Sequence, residues 1–451
     1  MPLISRSING AVDLLKLQSI NRKRYPLLLQ SVAGGNALSR WDILFIANGE
    51  GLQLHAGQTY NLAMQSIDLP FLKALDAVFG QEKCIEQSEL PFTGGWAIYL
   101  GYELAGQIEH RLNLPEFNGP LPDALALRCP AAILYDKQRN EVVAIAEHGH
   151  EPLLEMLFED LQLLAQQTEL LAWPQQALYF EDEPEKFLSA VRRILNYLKE
   201  GDVFQVNISR AWQVKLENVG AYAHALYQRL CRLNPAPFAG FMQFADWSLI
   251  SSSPERLVSV KNDLVQTRPI AGTRPRIAGE NEQDKINELI EHPKERAEHV
   301  MLIDLERNDL ARVCTPGSIT VDEMMIVESY EHVHHIVSNV SGQLLPGCTP
   351  GQIIAAVFPG GTITGCPKVR CMEIIAELEA TGRGPYTGAM GYLNRNGNMD
   401  LNILIRSLWL SGDNLQLRAG AGIVFDSIPE HELQETRDKA KGVLRALGVT
   451  V

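Results

Sequence analysis

Strand-like and helix-like stretches follow one another in this chain without a fixed order, and that irregularity limits what it can fold into. A doubly wound sheet needs a helix after nearly every strand. Here residues 239–276, AGFMQFADWSLISSSPERLVSVKNDLVQTRPIAGTRPR, run through several strands and tight turns with no helical pattern between them. YTGAMGYL, MDLNILIRSLWL and NLQLRAGAGIVF read as further strands near the C-terminus. Between such groups lie helical patterns: EKFLSAVRRILNYLKEGD, ending at Gly201; AYAHALYQRLCRL, stopped by NPAPF; and PEHELQETRDKAKGVLRAL, closing the chain. The pattern predicts a large α+β fold.

Two regions are expected. Residues 1–175 read as mixed, with apolar runs at 27–32, 41–47, 94–104 and 131–146, the last a hairpin turning at Lys137 to Asn140, and a helix over 151–171. Pro and acidic residues punctuate 168–187, a crossing into a second region, 184–447, where the signals strengthen. The 451 residues suffice for a large core, and no repeat or low-complexity tract interrupts them. A net charge of −14 argues against general affinity for nucleic acid or anionic membrane, which needs clustered Lys and Arg. No signal peptide and no apolar run of spanning length is expected. Seven cysteines, without a C-x-x-C pair, indicate neither a zinc site nor a disulfide framework and fit a reducing, cytoplasmic setting.

The chemistry starts in residues 292–312, HPKERAEHVMLIDLERNDLAR. Val300, Met301, Leu302, Ile303, Leu305 and Leu310 form an apolar patch for a helix buried on most sides. Glu295 and Glu298, three apart, share one face of that helix, where like charges repel by a few tenths of a kcal/mol. A divalent cation nearby would reverse the sign, because magnesium takes carboxylate oxygens with water and substrate oxygens. Glu432 and Glu435 repeat the spacing in the last helix, so two pairs could hold one metal across a cleft. The bland alternative is acidic residues near helix starts, favoured by the macrodipole. PGGTITGCPK, with Gly360, Gly361, Gly365, Thr362 and Thr364 ahead of a helix near Pro367, offers N–H groups and hydroxyls to an anion, or is a tight turn. Gly420 and Gly422 within a strand mean a close backbone approach to a ligand, or a bulge. Arg406, amid apolar residues, needs a carboxylate partner. His334 and His335 point to opposite faces of a strand, and one could be a core histidine.

Taken together, DLERNDLARVC, TRPIAGTRPR, GTITGCPKVRCMEII, YTGAMGY, DLNILIRS and GAGIVFDS resemble the chorismate-utilising enzymes, strongly over 184–447 and more loosely before it. That family includes the component I chains of anthranilate and aminodeoxychorismate synthases and the isochorismate and salicylate synthases. The resemblance implies a two-lobed α+β fold with a β-sandwich-like core flanked by helices, and a site for chorismate with magnesium. It makes Glu298 and Glu435 direct magnesium ligands, with Glu295 and Glu432 as second acidic positions acting partly through water. Arg406 and Tyr386 match residues that hold the enolpyruvyl carboxylate. The backbone of Gly420, Ala421 and Gly422 matches the ring-carboxylate cradle, with Thr364 on the substrate side. His335 matches a histidine beside the reacting ring, and Lys439 a lysine near the leaving hydroxyl. Gln205 stands where water-adding members carry a lysine base, so it points to ammonia, which needs no such base.

Within the family, PGGTITG, SRWDI and LPFTGGWAIYLGYEL resemble aminodeoxychorismate synthase component I, an amino-group transferase serving 4-aminobenzoate and folate synthesis, and Gln30 in LLLQS departs from the Leu-Leu-Glu-Ser element of the tryptophan feedback site that anthranilate synthases carry. The alternative is anthranilate synthase component I. Ala271 in PIAGT departs from the lysine that aminodeoxychorismate synthases carry, leaving Thr273 and Lys439 as neighbours to position ammonia, or Lys368 or Lys439 to attack in its place. No glutaminase is evident in the sequence, so a separate glutamine amidotransferase subunit is the expected ammonia source. The non-enzymatic alternative is a chorismate-binding sensor or scaffold.

Overall fold

A computed structural model of the chain describes residues 3–33, 40–86, 88–164, 171–174, 178–276, 283, 286–287, 289, 293–329 and 333–449; the side chains of residues 178, 273–275, 293–294 and 333 lie outside that description. Among the described residues the fold is two antiparallel sheets of twelve strands each. Leu27, Ile43, Phe45, Leu134, Met242 and Leu249 of the first sheet meet Ala97, Tyr99, Leu125, Leu127 and Met390 of the second in a shared core. Each sheet is also covered on its outer face. Helices Leu14–Ile20, Glu151–Leu164, Ala223–Leu233 and Pro429–Ala446 pack on the first, and helices Phe71–Glu82, Pro293–Ala311 and Pro350–Val357 on the second. Strand Trp41–Ile46 shows the consequence. Ile43 and Phe45 point between the sheets, while Leu44 and Ile46 point to the helices. Both faces are dry, so the strand reads as an apolar run rather than an alternation.

The two regions expected from sequence contribute strands to both sheets. Leu27–Gln30 pairs with Phe238–Phe244 in the first, and Gly95–Leu100 pairs with Ala389–Asn394 in the second. The hairpin expected over 131–146 is present as Ala131–Asp136 and Glu141–Ala146. The helix expected over 292–312 is Pro293–Ala311; His292 lies outside the described residues. The helix expected over 151–171 is Glu151–Leu164, and 165–170 lie outside the description. Helix Phe71–Glu82 and strand Thr320–Ser329 were not anticipated. The latter, TVDEMMIVES, is only partly buried and has two register shifts against Val333–Gln343, so its polar residues carried no clean period.

MDLNILIRSLWL forms two strands instead of one. Met399–Ile403 belongs to the second sheet and Ser407–Ser411 to the first. The chain changes sheets at Leu404–Arg406, where Arg406 takes a φ of 50°, a left-handed conformation costing a non-glycine residue about 1–2 kcal/mol. A second crossing runs beside it, from Trp247–Ser253 in the first sheet to Arg256–Lys261 in the second. The Ile403 amide donates to the Glu255 carbonyl oxygen at 3.0 Å and the Ser252 amide to that of Arg406 at 3.2 Å, so the two crossings are tied together.

Helix Lys368–Glu379 is joined to the first sheet by buried charge. Glu379 accepts from Arg383 Nη2 at 2.7 Å, Arg418 Nη2 at 2.7 Å and Ser209 Oγ at 2.8 Å. Burial pulls the Glu379 carboxyl upward, but Arg383 and Arg418 overcome it and hold the group below the usual carboxylate range. Among the described residues no helix is long and apolar enough to cross a membrane, and all seven cysteines are unpaired. Removing the shared carboxylate would strand two buried guanidinium groups. We expect Glu379→Ala to lower the unfolding free energy in urea by about 3–5 kcal/mol; a change below about 1 kcal/mol, the scale of a surface pair, would show that the cluster does not join helix to sheet.

Candidate active site

Both acidic pairs lie in the opening turns of helices that begin with proline, Pro293–Ala311 and Pro429–Ala446. Proline is preorganised for a first helical turn, and the positive end of the macrodipole offsets part of the like-charge repulsion. The first helix packs against strands Ile270–Pro275 and Val333–Gln343, bringing Glu298 to the start of strand Gln205–Lys215. There Gln205 Nε2 donates to Glu298 Oε1 at 2.6 Å. Burial raises the Glu298 pKa, Glu295 and Glu435 push it the same way, and Gln205 and Lys439 oppose them. Glu295, Glu298 and Glu435 thus share one electrostatic neighbourhood although they come from two helices far apart in the sequence.

Lys439 stands among them, with Nζ 2.7 Å from Glu435 Oε1 and 3.1 Å from the Gly420 carbonyl oxygen. Glu432 is buried one turn before Glu435. Glu295 lies against Gly272, where a Cβ would stand 2.5 Å from its Oε2 and where φ is 65°. A side chain at residue 272 would therefore meet both a strained backbone and the carboxylate. Among the described residues no three His, Cys, Asp or Glu side chains converge to hold an ion by themselves. The donor set suits a hard cation that takes one or two carboxylates and completes its shell with water and ligand oxygens.

Strand Asn414–Ile423 supplies the next wall. Gly420 and Gly422 share one face, and Ala421 points the other way into the core with Val206, Ile208 and Ile423. A Cβ at Gly422 would lie 2.4 Å from Gln205 Nε2, and one at Gly420 would lie 2.6 Å from the Ile208 carbonyl oxygen and 2.7 Å from both Asn207 Oδ1 and the Tyr386 hydroxyl. The glycines leave bare backbone where polar groups gather. Burial pushes the Tyr386 phenol up to about 12, so it keeps its proton as a donor.

The paired sheet crossings supply the third wall. Arg406 is half-buried, and its guanidinium makes no hydrogen bond or ion pair among the described residues. Desolvation lowers its pKa against the pull of Glu255. A cation so placed calls for an anionic ligand. His335 is buried near it; burial first and Arg406 second push its pKa down to about 3, so the imidazole is neutral in the working range. Thr273 pairs with His335 along the backbone, and its side chain lies outside the described residues.

Sequence reasoning missed Glu255. It sits on the other crossing, accepts from Thr362 Oγ1 at 2.8 Å, and is pushed by burial up to about 7, with Lys439 and Arg406 pulling the other way. The available signal was a lone carboxylate joining two strands in SSSPERL. The glycine-rich loop serves this residue through Thr362, whereas the buried Thr364 hydroxyl donates to the Gly360 carbonyl oxygen at 2.8 Å. Lys368 is held by Asp309 and the Val357 carbonyl oxygen, so its amine is committed within the protein.

Carboxylates, an arginine without a hydrogen-bond or ion-pair partner among the described residues and bare glycine backbone gather in one electrostatic neighbourhood, a set of groups that suits a small polyanion. The family described as chorismate binding enzyme matches residues 36–445, and the chain belongs to it. Aminodeoxychorismate synthase component 1 of Bacillus subtilis (strain 168) is 42% identical over 388 residues, 83% of this chain and 82% of that one. Anthranilate synthase component 1 of Pseudomonas putida is 36% identical over 448 residues, 94% of this chain and 90% of that one. Among solved structures, anthranilate synthase component I of Streptococcus pneumoniae TIGR4 superposes with a TM-score of 0.81 at 34% identity, covering 91% of this chain and 93% of that one. These likenesses agree with the α+β sandwich expected from sequence.

Glu255 gives the site a titration signature. A carboxyl raised from 4.5 to about 7 contributes stability below pH 4.5 that is lost as pH climbs through 7. Glu255→Gln removes that dependence. Between pH 4.5 and 8 its unfolding free energy should fall less than that of the wild type, the difference reaching about 3 kcal/mol at about 1.4 kcal/mol per pKa unit. Parallel urea-unfolding curves across that range would exclude Glu255 as the titrating group.

Proposed function

We propose that the chain is the component I subunit of an aminodeoxychorismate synthase, converting chorismate and ammonia to 4-amino-4-deoxychorismate. Gln205 carries the reading: it donates to Glu298, and no lysine base occupies its position, which suits addition of ammonia rather than water. The 42% identity to aminodeoxychorismate synthase component 1 of Bacillus subtilis supports the choice of product. Ammonia would come from a glutamine amidotransferase partner in the cytoplasm.

Glu298 and Glu435 would hold magnesium directly, with Glu295 and Glu432 acting through water; the bound ion would neutralise the ring carboxylate of chorismate. The backbone of Gly420 to Gly422 meets that same carboxylate. Arg406 and the Tyr386 hydroxyl take the enolpyruvyl carboxylate. Replacing a ring hydroxyl by ammonia needs a proton on the departing oxygen. Glu255 is a carboxyl that still holds one near neutral pH. As the carbon–oxygen bond breaks, that proton leaves with the oxygen as water, and the proton lost by the added nitrogen restores the acid. Lys439, whose charge acts on Glu255, lies beside this transfer. Neutral His335 borders the ring without carrying charge.

Ala271 favours a second reading, anthranilate synthase component I, because its methyl group cannot attack the ring. The products separate the two. With chorismate, magnesium and ammonium, we expect 4-aminobenzoate only after an aminodeoxychorismate lyase is added; anthranilate formed without the lyase would overturn the assignment, and unconsumed chorismate would favour a sensor or scaffold.

The carboxylate pairs are tested separately. Glu298→Gln and Glu435→Gln should each weaken magnesium affinity by more than the roughly tenfold to hundredfold that losing an outer-shell partner costs, and abolish turnover. Thermal unfolding without metal should be unchanged or slightly later for Glu298→Gln, because like charges are removed, and nearly unchanged for Glu435→Gln, which also loses its exposed pair with Lys439. Normal magnesium-dependent turnover in both variants would remove these residues from the metal site.

A further inference from the structure

Two side-chain carbonyl oxygens on one face of strand Gln205–Lys215 are buried without a donor. Gln205 gives its Nε2 to a carboxylate, which accepts and cannot donate, so its amide orientation is fixed and Oε1 is left unpaired. Asn207 stands two residues further along, on the same face, 8% exposed. Its main chain is fully engaged, with its N–H on the Thr364 carbonyl oxygen and its own carbonyl accepting from Arg383 Nη2 at 2.7 Å. Its Oδ1 has no partner. Both amides lie over the positions where the neighbouring strand lacks side chains, Gln205 against Gly422 and Asn207 against Gly420. Buried amide oxygens are nearly always satisfied. These two stand together beside bare glycine backbone, where a ligand can bring the missing donors.

The site reading above restricts which ligand that is, and this inference rests on it. Chorismate brings two carboxylates and an ether, all acceptors, and a single hydroxyl. Ammonia brings three N–H bonds. A subsite for a nitrogen nucleophile should hold those N–H bonds and leave the lone pair free, which requires acceptors rather than donors. The acceptors should also be uncharged, since a carboxylate in contact would favour ammonium, which has no lone pair to give. Two amide oxygens meet both conditions. We infer that Asn207 Oδ1, together with Gln205 Oε1, holds ammonia beside the substrate ring, and that Asn207 is a specificity residue for the nitrogen nucleophile.

The test uses the full chain with chorismate, magnesium chloride and ammonium chloride, varying each substrate separately. Asn207→Leu, close in shape but without an acceptor, should raise the KM for ammonium about tenfold or more, as expected for losing a buried hydrogen bond, with the KM for chorismate within about twofold. Asn207→Ala should do the same, guarding against a leucine that disturbs packing. Asn207→Asp keeps an acceptor but makes it charged, so it should hold ammonium in its protonated form: turnover should fall even at saturating ammonium, and the chorismate KM should rise because a carboxylate now faces the substrate's carboxylates. An ammonium KM unchanged in both the Leu and Ala variants would overturn the inference. So would a raised chorismate KM with an unchanged ammonium KM, which would place the amide on the substrate. A wild type that leaves chorismate unconsumed would instead overturn the site reading, and this inference with it.

Discussion

The Glu379 carboxylate, between Arg383 and Arg418, is the contact on which the site geometry rests. Its partners are 1% and 6% exposed, so water does little to screen the charges. Arg418 belongs to the strand of Gly420 and Gly422. Arg383 reaches the Asn207 carbonyl oxygen in the neighbouring strand and that of Ile363 in the glycine-rich loop. One buried cluster therefore fixes two strands, a helix and a loop relative to one another. The positions of Gln205, Thr362 and the bare glycine backbone follow from it.

The groups within that frame are set in opposed ways by burial. Glu298 and Glu255 are raised, His335 is driven neutral and Arg406 is lowered, each first by desolvation. Without ligand, the site holds charge it cannot satisfy internally at Arg406. An anionic ligand would supply the counter-charge that Glu255, itself held partly protonated by burial, gives only in part. Sites tuned this way contribute affinity at some expense to the stability of the empty fold.

Much of this was legible in the sequence, for identifiable reasons. The carboxylate pairs were visible because Glu295–Glu298 and Glu432–Glu435 repeat one helical spacing, and the structure places Glu295, Glu298 and Glu435 together. Gly420 and Gly422 were visible because glycine is out of place in a strand interior. Arg406 was visible as a charge among apolar residues, but the break it makes was not. A left-handed non-glycine residue carries no compositional mark, so one apolar run concealed two strands in two sheets. Glu255 was hidden for a related reason. Its burial depends on a sheet crossing and on Thr362, more than a hundred residues away, and no local period reports such a contact.

The interleaving of the two regions also bears on how the molecule comes into being. Leu27–Gln30 has one neighbour at Trp41–Ile46 and the other at Phe238–Phe244; Gly95–Leu100 has one at Ala124–Cys129 and the other at Ala389–Asn394. A chain emerging from the ribosome holds each of these strands with one side unpaired until residues far downstream appear. Neither sheet can close early, and the loop-closure entropy is met only near the end of synthesis. The nascent first half presents open strand edges, the state most exposed to wrong pairing. The arrangement that seats the site across both sheets thus leaves both sheets incomplete until the C-terminal strands have been made.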